Sequence, residues 1–178
     1  MFVNVGEREE QNTAVIWTTG DGNTSYIYIA LIHAFITCRL DNGNALLYGL
    51  PKYQIQRLQS VQNCAARLVK RYPKFGHTSP SLSELHWLPV EHRIVFKILL
   101  LVFKSLNNLA PSYVNDLLAL YISSRSLRSS SQSLLVVPRS IQKSYGDRAF
   151  AVAAPRLWNV LPIHMRQPGF SLALLRNV

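Results

Sequence analysis

The chain has 178 residues, enough for one ordinary domain or two small ones, and a globule of this size buries roughly 70% of the surface of its unfolded chain. Hydrophobic residues make up 48% of the chain and charged residues only 16%, which argues against disorder driven by charge. The 19 Lys and Arg against 9 Asp and Glu give a net charge of +10. This charge favours nucleic acid as a partner and, second, an anionic membrane surface; the alternative is a basic surface without a specific partner.

The cysteine content and the length of the apolar segments indicate the cellular compartment. Cys38 and Cys64 cannot form a disulfide framework, and neither belongs to a CxxC pair. The first residues lack the features of a signal peptide, and no apolar run reaches the ~20 residues that a membrane span needs. We therefore expect an intracellular protein, in the nucleus or the cytoplasm, without a membrane role.

The first 25 residues differ in composition from the rest. Four of the nine acids lie there, opposed only by Arg8, so residues 28–178 carry 18 basic and 5 acidic side chains, a net charge of +13. Residues 1–25 are predicted to be a flexible, poorly ordered leader, or alternatively to form a short strand at residues 13–18. From residue 26 to 40 the pattern is apolar almost all round, which predicts a buried helix that ends at the turn signal Asp-Asn-Gly-Asn.

The strongest helix pattern runs from Pro51 to Tyr72, because proline is favourable at the first helical position and the apolar residues follow the 3.6 period. This arrangement gives one face for packing and one basic, amide-rich face, a layout that suits contact with a phosphate backbone but also any solvated helix. The predicted packing face holds Ile55, Leu58, Val61, Ala65, Leu68, Val69 and Tyr72, and the polar face holds Lys52, Gln56, Gln59, Asn63, Arg67 and Lys70.

Three helical segments are predicted next. The stretch SLSELHWLP (81–89) suggests a short helical turn with Ser81 or Ser83 as its cap. Residues 89–108 have only a narrow polar stripe and predict a long helix at the centre of a bundle. Residues 111–120 predict a shorter helix.

Residues 123–133 contain seven serines and two arginines and are predicted to be a linker. Residues 134–138 (LLVVP) predict a strand, and a helix should follow Asp147 and end or kink at Pro155. The fold class is thus mainly α: a small helical bundle with a short β element near residues 134–138. The expected organisation is a leader (1–25), a helical domain (26–122), a linker (123–133) and a small C-terminal unit (134–178).

The residue types of a catalytic site are scattered along the chain. Two-metal nucleotidyl transfer needs neighbouring carboxylates, whereas the five acids beyond the leader stand singly: Asp41, Glu84, Glu91, Asp116 and Asp147. The five histidines have no zinc-binding spacing. We therefore predict no catalytic residues, no metal site and no cofactor in this chain.

Three stretches together carry a family resemblance: HAFITCRLDNGNALLYGLPKYQIQRLQSVQNCAARLV, LSELHWLPVEHRIVFKILLLVFKSLNNLAPSYVNDLL and GDRAFAVAAPRLWNVLP. In this order and spacing, from about Leu31 to Met165, they resemble the region after the catalytic palm in reverse transcriptases of LINE-type, jockey-like non-LTR retrotransposons. The resemblance implies a thumb-like and post-thumb part of an RNA-directed DNA polymerase, which supports primer and template beside the palm. The full-length family enzyme uses Mg²⁺, but the palm with its Asp-Asp motif, the fingers and the endonuclease have no counterpart here.

The resemblance implies RNA or an RNA–DNA hybrid as partner, together with the palm and fingers of the parent polymerase, and no small-molecule substrate. It also implies a thumb-like role for the 51–72 helix, with Lys52, Arg67 and Lys70 facing outward. The candidate nucleic-acid-binding residues are Lys52, Arg67, Lys70, Arg71, Arg93, Lys97, Arg125 and Arg128. The candidate structural residues are Trp87, Asp147, Arg148, Arg156 and Trp158, with a nucleic-acid contact through Arg148 or Arg156 as the alternative.

Three functions remain open on these grounds. The first is a fragment of a retrotransposon reverse transcriptase that binds RNA or hybrid and is inactive alone. The alternative is a helical protein–protein interaction or scaffold domain without a nucleic-acid role. A standalone hydrolase or transferase that uses Asp116 or Asp147 is the third.

Overall fold

The computed structural model describes residues 27, 29–70, 73, 76–122 and 133–166. The mainly helical fold class is confirmed, and the described ranges contain no sheet. A π-helical turn, His33–Thr37, runs into the first helix, and a 3₁₀ turn, Asn44–Leu47, follows that helix. The helices in chain order are α1 (Cys38–Asp41), α2 (Lys52–Lys70), α3 (Ser79–Glu84), α4 (Val90–Leu106), α5 (Ser112–Asn115), α6 (Lys143–Gly146), α7 (Phe150–Val160) and α8 (Ile163–Arg166).

Helix α4 lies at the centre of the fold, as its composition predicted. Its buried residues recur every three or four positions, as on the inner face of a helix, and include Ile94, Ile98 and Val102. They pack against α7, the 3₁₀ turn and α2. Residues of the predicted helical domain and of the predicted C-terminal unit thus share one core.

Helix α7 continues through Pro155, so of the two predicted outcomes, an end or a kink at this residue, the end was wrong. Proline inside a helix costs about 3 kcal/mol, because a backbone hydrogen bond is lost and the ring crowds the preceding turn. Here the ring is buried beside Ala153 and Ala154, which are fully buried, and Trp158 on the next turn is buried as well. Close packing of this face on α4 offsets the cost.

The predicted strand at 134–138 is reduced to one antiparallel bridge, between Leu120 and Leu135. On the other side of Leu135 the partner is a side chain of α7. Asn159 Oδ1 accepts from the Leu135 N–H at 2.9 Å, and Asn159 Nδ2 donates to the Leu135 carbonyl at 2.9 Å. The side-chain amide of Asn159 therefore satisfies the backbone groups of Leu135 that a neighbouring strand would satisfy in a sheet.

In the segment predicted as a buried helix at 26–40, residue 27 and residues 29–40 are helical, but the burial of the segment was predicted wrongly. Among its described residues only Ile32 is buried, against Ala65 and Ala66 of α2, whereas Phe35 is 71% exposed. A single face of this segment meets the small residues of α2. Its uniform apolarity gave no indication of which face that would be.

Helix α2 forms as predicted, and Ile55, Leu58, Ala65 and Val69 of its predicted packing face pack on the core, while Tyr72 lies outside the described residues. Val61 and Leu68 are about half exposed, while Gln62 is 1% exposed. Gln62 Nε2 donates to the Leu88 carbonyl at 2.8 Å, and Gln59 Oε1 accepts from the Val90 N–H at 2.9 Å. Two glutamines therefore face the interior because they satisfy backbone groups around the start of α4.

Predictions for two shorter helices also need correction. The helix predicted at 111–120 is only α5, after which the chain turns toward the bridge at Leu120. Ser81 and Ser83 do not cap α3, since both lie within it and Thr78 stands at the N-cap position. The predicted turn at 41–44 is confirmed, with Gly43 at a φ of 65°.

Candidate nucleic-acid interface

Three ion pairs use most of the acids in the described part of the chain. The described ranges contain thirteen basic and five acidic residues. Asp41, Glu84 and Asp147 each pair with a Lys or Arg, and only Glu91 and Asp116 are in no ion pair there. These pairs neutralise only three of the thirteen basic residues, so the described ranges keep a surplus of cations for external partners.

Arg93 is held inside the fold. Its Nη1 donates to both carboxylate oxygens of Asp41 at 2.9 Å, and its Nε donates to the Leu88 carbonyl at 2.8 Å. The side chain is 14% exposed. Arg93 therefore links α1 to α4, and its assignment as a nucleic-acid contact conflicts with this geometry because a phosphate would have to displace Asp41.

Arg67 and Lys70, expected to face outward, are also engaged. Arg67 is half-buried, and its Nη2 donates to the Gly76 carbonyl at 3.3 Å, so its outward orientation was predicted wrongly. Lys70 Nζ lies 2.8 Å from Glu84 Oε2 at the surface. Both side chains connect the end of α2 to the segment that holds α3.

The other predicted nucleic-acid contacts are spread over the molecule. Lys97 is half-buried and lines a recess of about 530 Å³ together with Asp41, His86 and Arg93. Lys52, at the start of α2, is exposed. The remaining three lie outside the described residues: Arg71, Arg125 and Arg128.

Lys52 stands where two clefts meet. The first cleft has a volume of about 650 Å³, and its polar wall includes Tyr145, Arg148 and Arg156. The second has about 470 Å³, and its wall includes amide and hydroxyl groups. Both clefts are lined by Leu50, Lys52, Ile55 and Glu91, so they adjoin at the start of α2, and we call the two clefts together the α2 groove. Its second cleft is lined further by Gln56, Gln59, Asn63, Thr78, Ser79 and His92.

Arg148 is fixed in the wall of the α2 groove. Its Nε donates to the Tyr48 carbonyl at 3.0 Å, and its aliphatic part passes over Gly49, where a Cβ would come within 2.6 Å of Arg148 Cγ. Gly49 also has a φ of 72°, which disfavours other residues. The two terminal Nη nitrogens have no partner among the described residues. The guanidinium is therefore oriented while its terminal donors are available to a ligand.

The other residues predicted to be structural hold the fold together locally. Arg156 Nη2 donates to Asp147 Oδ1 at 3.0 Å. Trp158 is buried, and its Nε1 donates to the Ser133 carbonyl at 3.0 Å. Trp87 is buried in the smaller core, with its ring edge-on to His33 at 5.5 Å between centroids.

Sequence reasoning missed two residues of the α2 groove. Tyr145 is 73% exposed although it is a large aromatic residue, and Gln59 lies half-buried in the groove wall. A signal for Tyr145 was its place directly before Gly146 and Asp147, because these residue types are common in turns and turns lie at the surface. No sequence signal distinguished Gln59 from a solvated glutamine.

No group of three or more His, Cys, Asp or Glu side chains in the described ranges could hold a metal ion. None of the helices described is both long enough and apolar enough to cross a bilayer. Comparisons with protein-family models, curated proteins and solved structures found no match to this chain.

Proposed function

We propose that this chain is the nucleic-acid-supporting, thumb-like part of a retrotransposon RNA-directed DNA polymerase, that it binds RNA or an RNA–DNA hybrid, and that it does not extend a primer by itself. The observation that carries the proposal is the α2 groove, where Lys52, Arg148 and Arg156 line one cleft. The three sequence stretches that resemble the family add to it.

The charges of the groove favour a polyanion that runs along α2. Arg156 is neutralised by Asp147, but Lys52 is in no ion pair and Arg148 is bound only to a carbonyl among the described residues. Glu91 also lines the groove, and it forms no ion pair among the described residues. A phosphate backbone binds such unpaired cations and releases condensed counterions, so the affinity falls as salt rises.

Anisotropy titrations with a labelled RNA hairpin and an RNA–DNA hybrid test this proposal. We expect binding at about 50 mM salt and a loss of at least tenfold by about 200 mM. Lys52→Ala should weaken binding to all sequences alike and reduce the salt slope by about one. Arg57→Ala is the matched control, because Arg57 is exposed on the same helix, roughly 140° around from Lys52, and does not line the groove.

The proposal fails if the wild-type chain binds neither of these nucleic acids nor a single-stranded RNA at low salt, or if its affinity is independent of salt. Primer extension by the purified chain with magnesium would contradict the lack of activity. Equal effects of Lys52→Ala and Arg57→Ala would remove the groove from the interface.

A second candidate function, a helical protein–protein interaction domain, is favoured by exposed apolar side chains on the first half of the fold. Phe35, Tyr53 and Ile27 are more than half exposed. Surface of this kind marks interfaces when it is contiguous. Light scattering separates the candidates: association at micromolar concentration that Phe35→Ser abolishes supports an interaction domain, whereas a monomer that binds RNA supports the first proposal.

A further inference from the structure

We infer that the first cleft of the α2 groove binds a single-stranded polynucleotide, with one base stacked on Tyr145 and the adjoining phosphate held by Arg148 and Lys52. This inference rests on the proposed function and deepens it. It specifies an unpaired strand and not a duplex as the ligand, and it places the contact in the cleft that Tyr145 lines.

Tyr145 provides the stacking surface. It is 73% exposed, and it lies at the rim of a cleft whose other walls carry charged groups. A large exposed aromatic ring beside cations matches the way proteins bind single strands, since every base offers a flat face and every linkage offers a phosphate. Stacking of this kind depends little on sequence.

Arg148 provides the phosphate contact. Because its Nε is bound to the Tyr48 carbonyl and its aliphatic part is confined by Gly49, little side-chain freedom is lost when its Nη nitrogens bind an anion. Tyr145 precedes it by three residues, and both line the same cleft. The planar fork suits two phosphate oxygens at once.

The volume of the first cleft and the polar lining of the second cleft favour an unpaired strand as the ligand. A volume of about 650 Å³ lies in the range of sites that enclose small ligands, so the cleft can accept a nucleotide. In a duplex the bases are stacked on each other and do not offer a face to a protein ring. Beyond Lys52 the strand meets Gln56, Asn63 and Thr78, which can hydrogen-bond exposed base edges.

The test uses a single-stranded RNA oligomer that carries the fluorescent base 2-aminopurine, titrated into the full chain. Wild type should quench the fluorescence, and Tyr145→Ala should lose the quenching and roughly tenfold in affinity. Tyr145→Phe is the matched control and should retain both. Arg148→Lys should weaken binding several-fold while the quenching at saturation remains, because it removes the fork but not the ring.

The outcomes distinguish this inference from the proposed function. Equal behaviour of wild type and Tyr145→Ala, with the fold of both verified by circular dichroism, would overturn the stacking site and leave the proposed function standing. Tighter binding of a duplex than of the single strand would do the same. A free nucleoside monophosphate that competes as well as the oligomer would show a nucleotide pocket instead of a strand site. If the wild-type chain binds no nucleic acid at all, both proposals fall.

Discussion

The side chain of Gln59 in α2 accepts a hydrogen bond from the backbone N–H of Val90, the first residue of α4, at 2.9 Å. The first N–H groups of a helix have no partner within the helix, and a side-chain oxygen from elsewhere can satisfy one of them. Gln59 Nε2 also donates to Gln62 Oε1 at 3.0 Å, and Gln62 in turn bonds to the Leu88 carbonyl. The register of α2 against α4 is therefore fixed by amide groups as well as by apolar packing.

Replacing Gln59 by alanine should destabilise the fold by about 1–2 kcal/mol, because Val90 loses its acceptor while it stays buried. Urea unfolding followed by circular dichroism measures the change. Gln56→Ala is the control, since Gln56 lies one turn earlier on α2 and is exposed. A loss no larger than that of the control would show that water replaces the bond without cost.

This amide pair also marks how far the sequence could predict the fold. The helix at 51–72 and the central helix at 89–108 follow from periodicity and proline placement, and both form. The face of α2 followed only in part, because Gln62 is polar and Val61 is apolar, whereas the structure buries Gln62 and leaves Val61 about half exposed. The spacing of apolar residues predicts which apolar side chains are buried. It does not predict that a polar side chain is buried because it hydrogen-bonds a backbone group.

The candidate site was predictable only in part for a related reason. Charged residues can be counted in a sequence, but tertiary contacts decide which of them form ion pairs and which stay unpaired. Arg93 meets Asp41 across 52 positions, and Lys70 meets Glu84 only because the chain turns back after α2. Lys52 and Arg148 come into one groove through contacts that span about a hundred residues, which no local pattern indicates.

Asn159 should contribute strongly to the stability of the bridge region. Asn159→Ala removes both hydrogen bonds to the backbone of the buried Leu135, and we expect a loss of about 2–3 kcal/mol in the free energy of unfolding. Asn159→Asp keeps the acceptor but loses the donor, so it separates the two bonds. Hydrogen exchange of the Leu135 amide should accelerate in the alanine variant and much less in the aspartate variant. Unchanged exchange in both would contradict the role of Asn159.

The Asp41–Arg93 pair should couple more strongly than the Lys70–Glu84 pair. Two hydrogen bonds from a largely buried guanidinium favour the first, although solvent screens the partly exposed Asp41. A double-mutant cycle with alanine at both positions should give a coupling of about 1 kcal/mol. The same cycle at Lys70 and Glu84, which form one contact at the surface, should give about 0.5 kcal/mol or less. The reverse order would show that geometry does not decide these pairs.

Gly49 links the backbone of the groove wall to the position of Arg148. An alanine there meets two obstacles: the φ of 72°, and a Cβ that would lie 2.6 Å from Arg148 Cγ. Gly43 has a φ of 65° but its nearest neighbour would be 3.8 Å away, so Gly43→Ala isolates the first obstacle. We expect about 1 kcal/mol of destabilisation from φ alone in each variant.

Only Gly49→Ala should in addition weaken RNA binding several-fold, because Arg148 must move and lose its bond to the Tyr48 carbonyl. Thermal unfolding and anisotropy titrations on both variants separate the two effects. If the variants weaken RNA binding equally, the orientation of Arg148 does not control the affinity of the groove. If Gly49→Ala alone weakens it, and Arg148→Ala adds no further loss in the double variant, then glycine acts through the arginine, since coupled sites are non-additive.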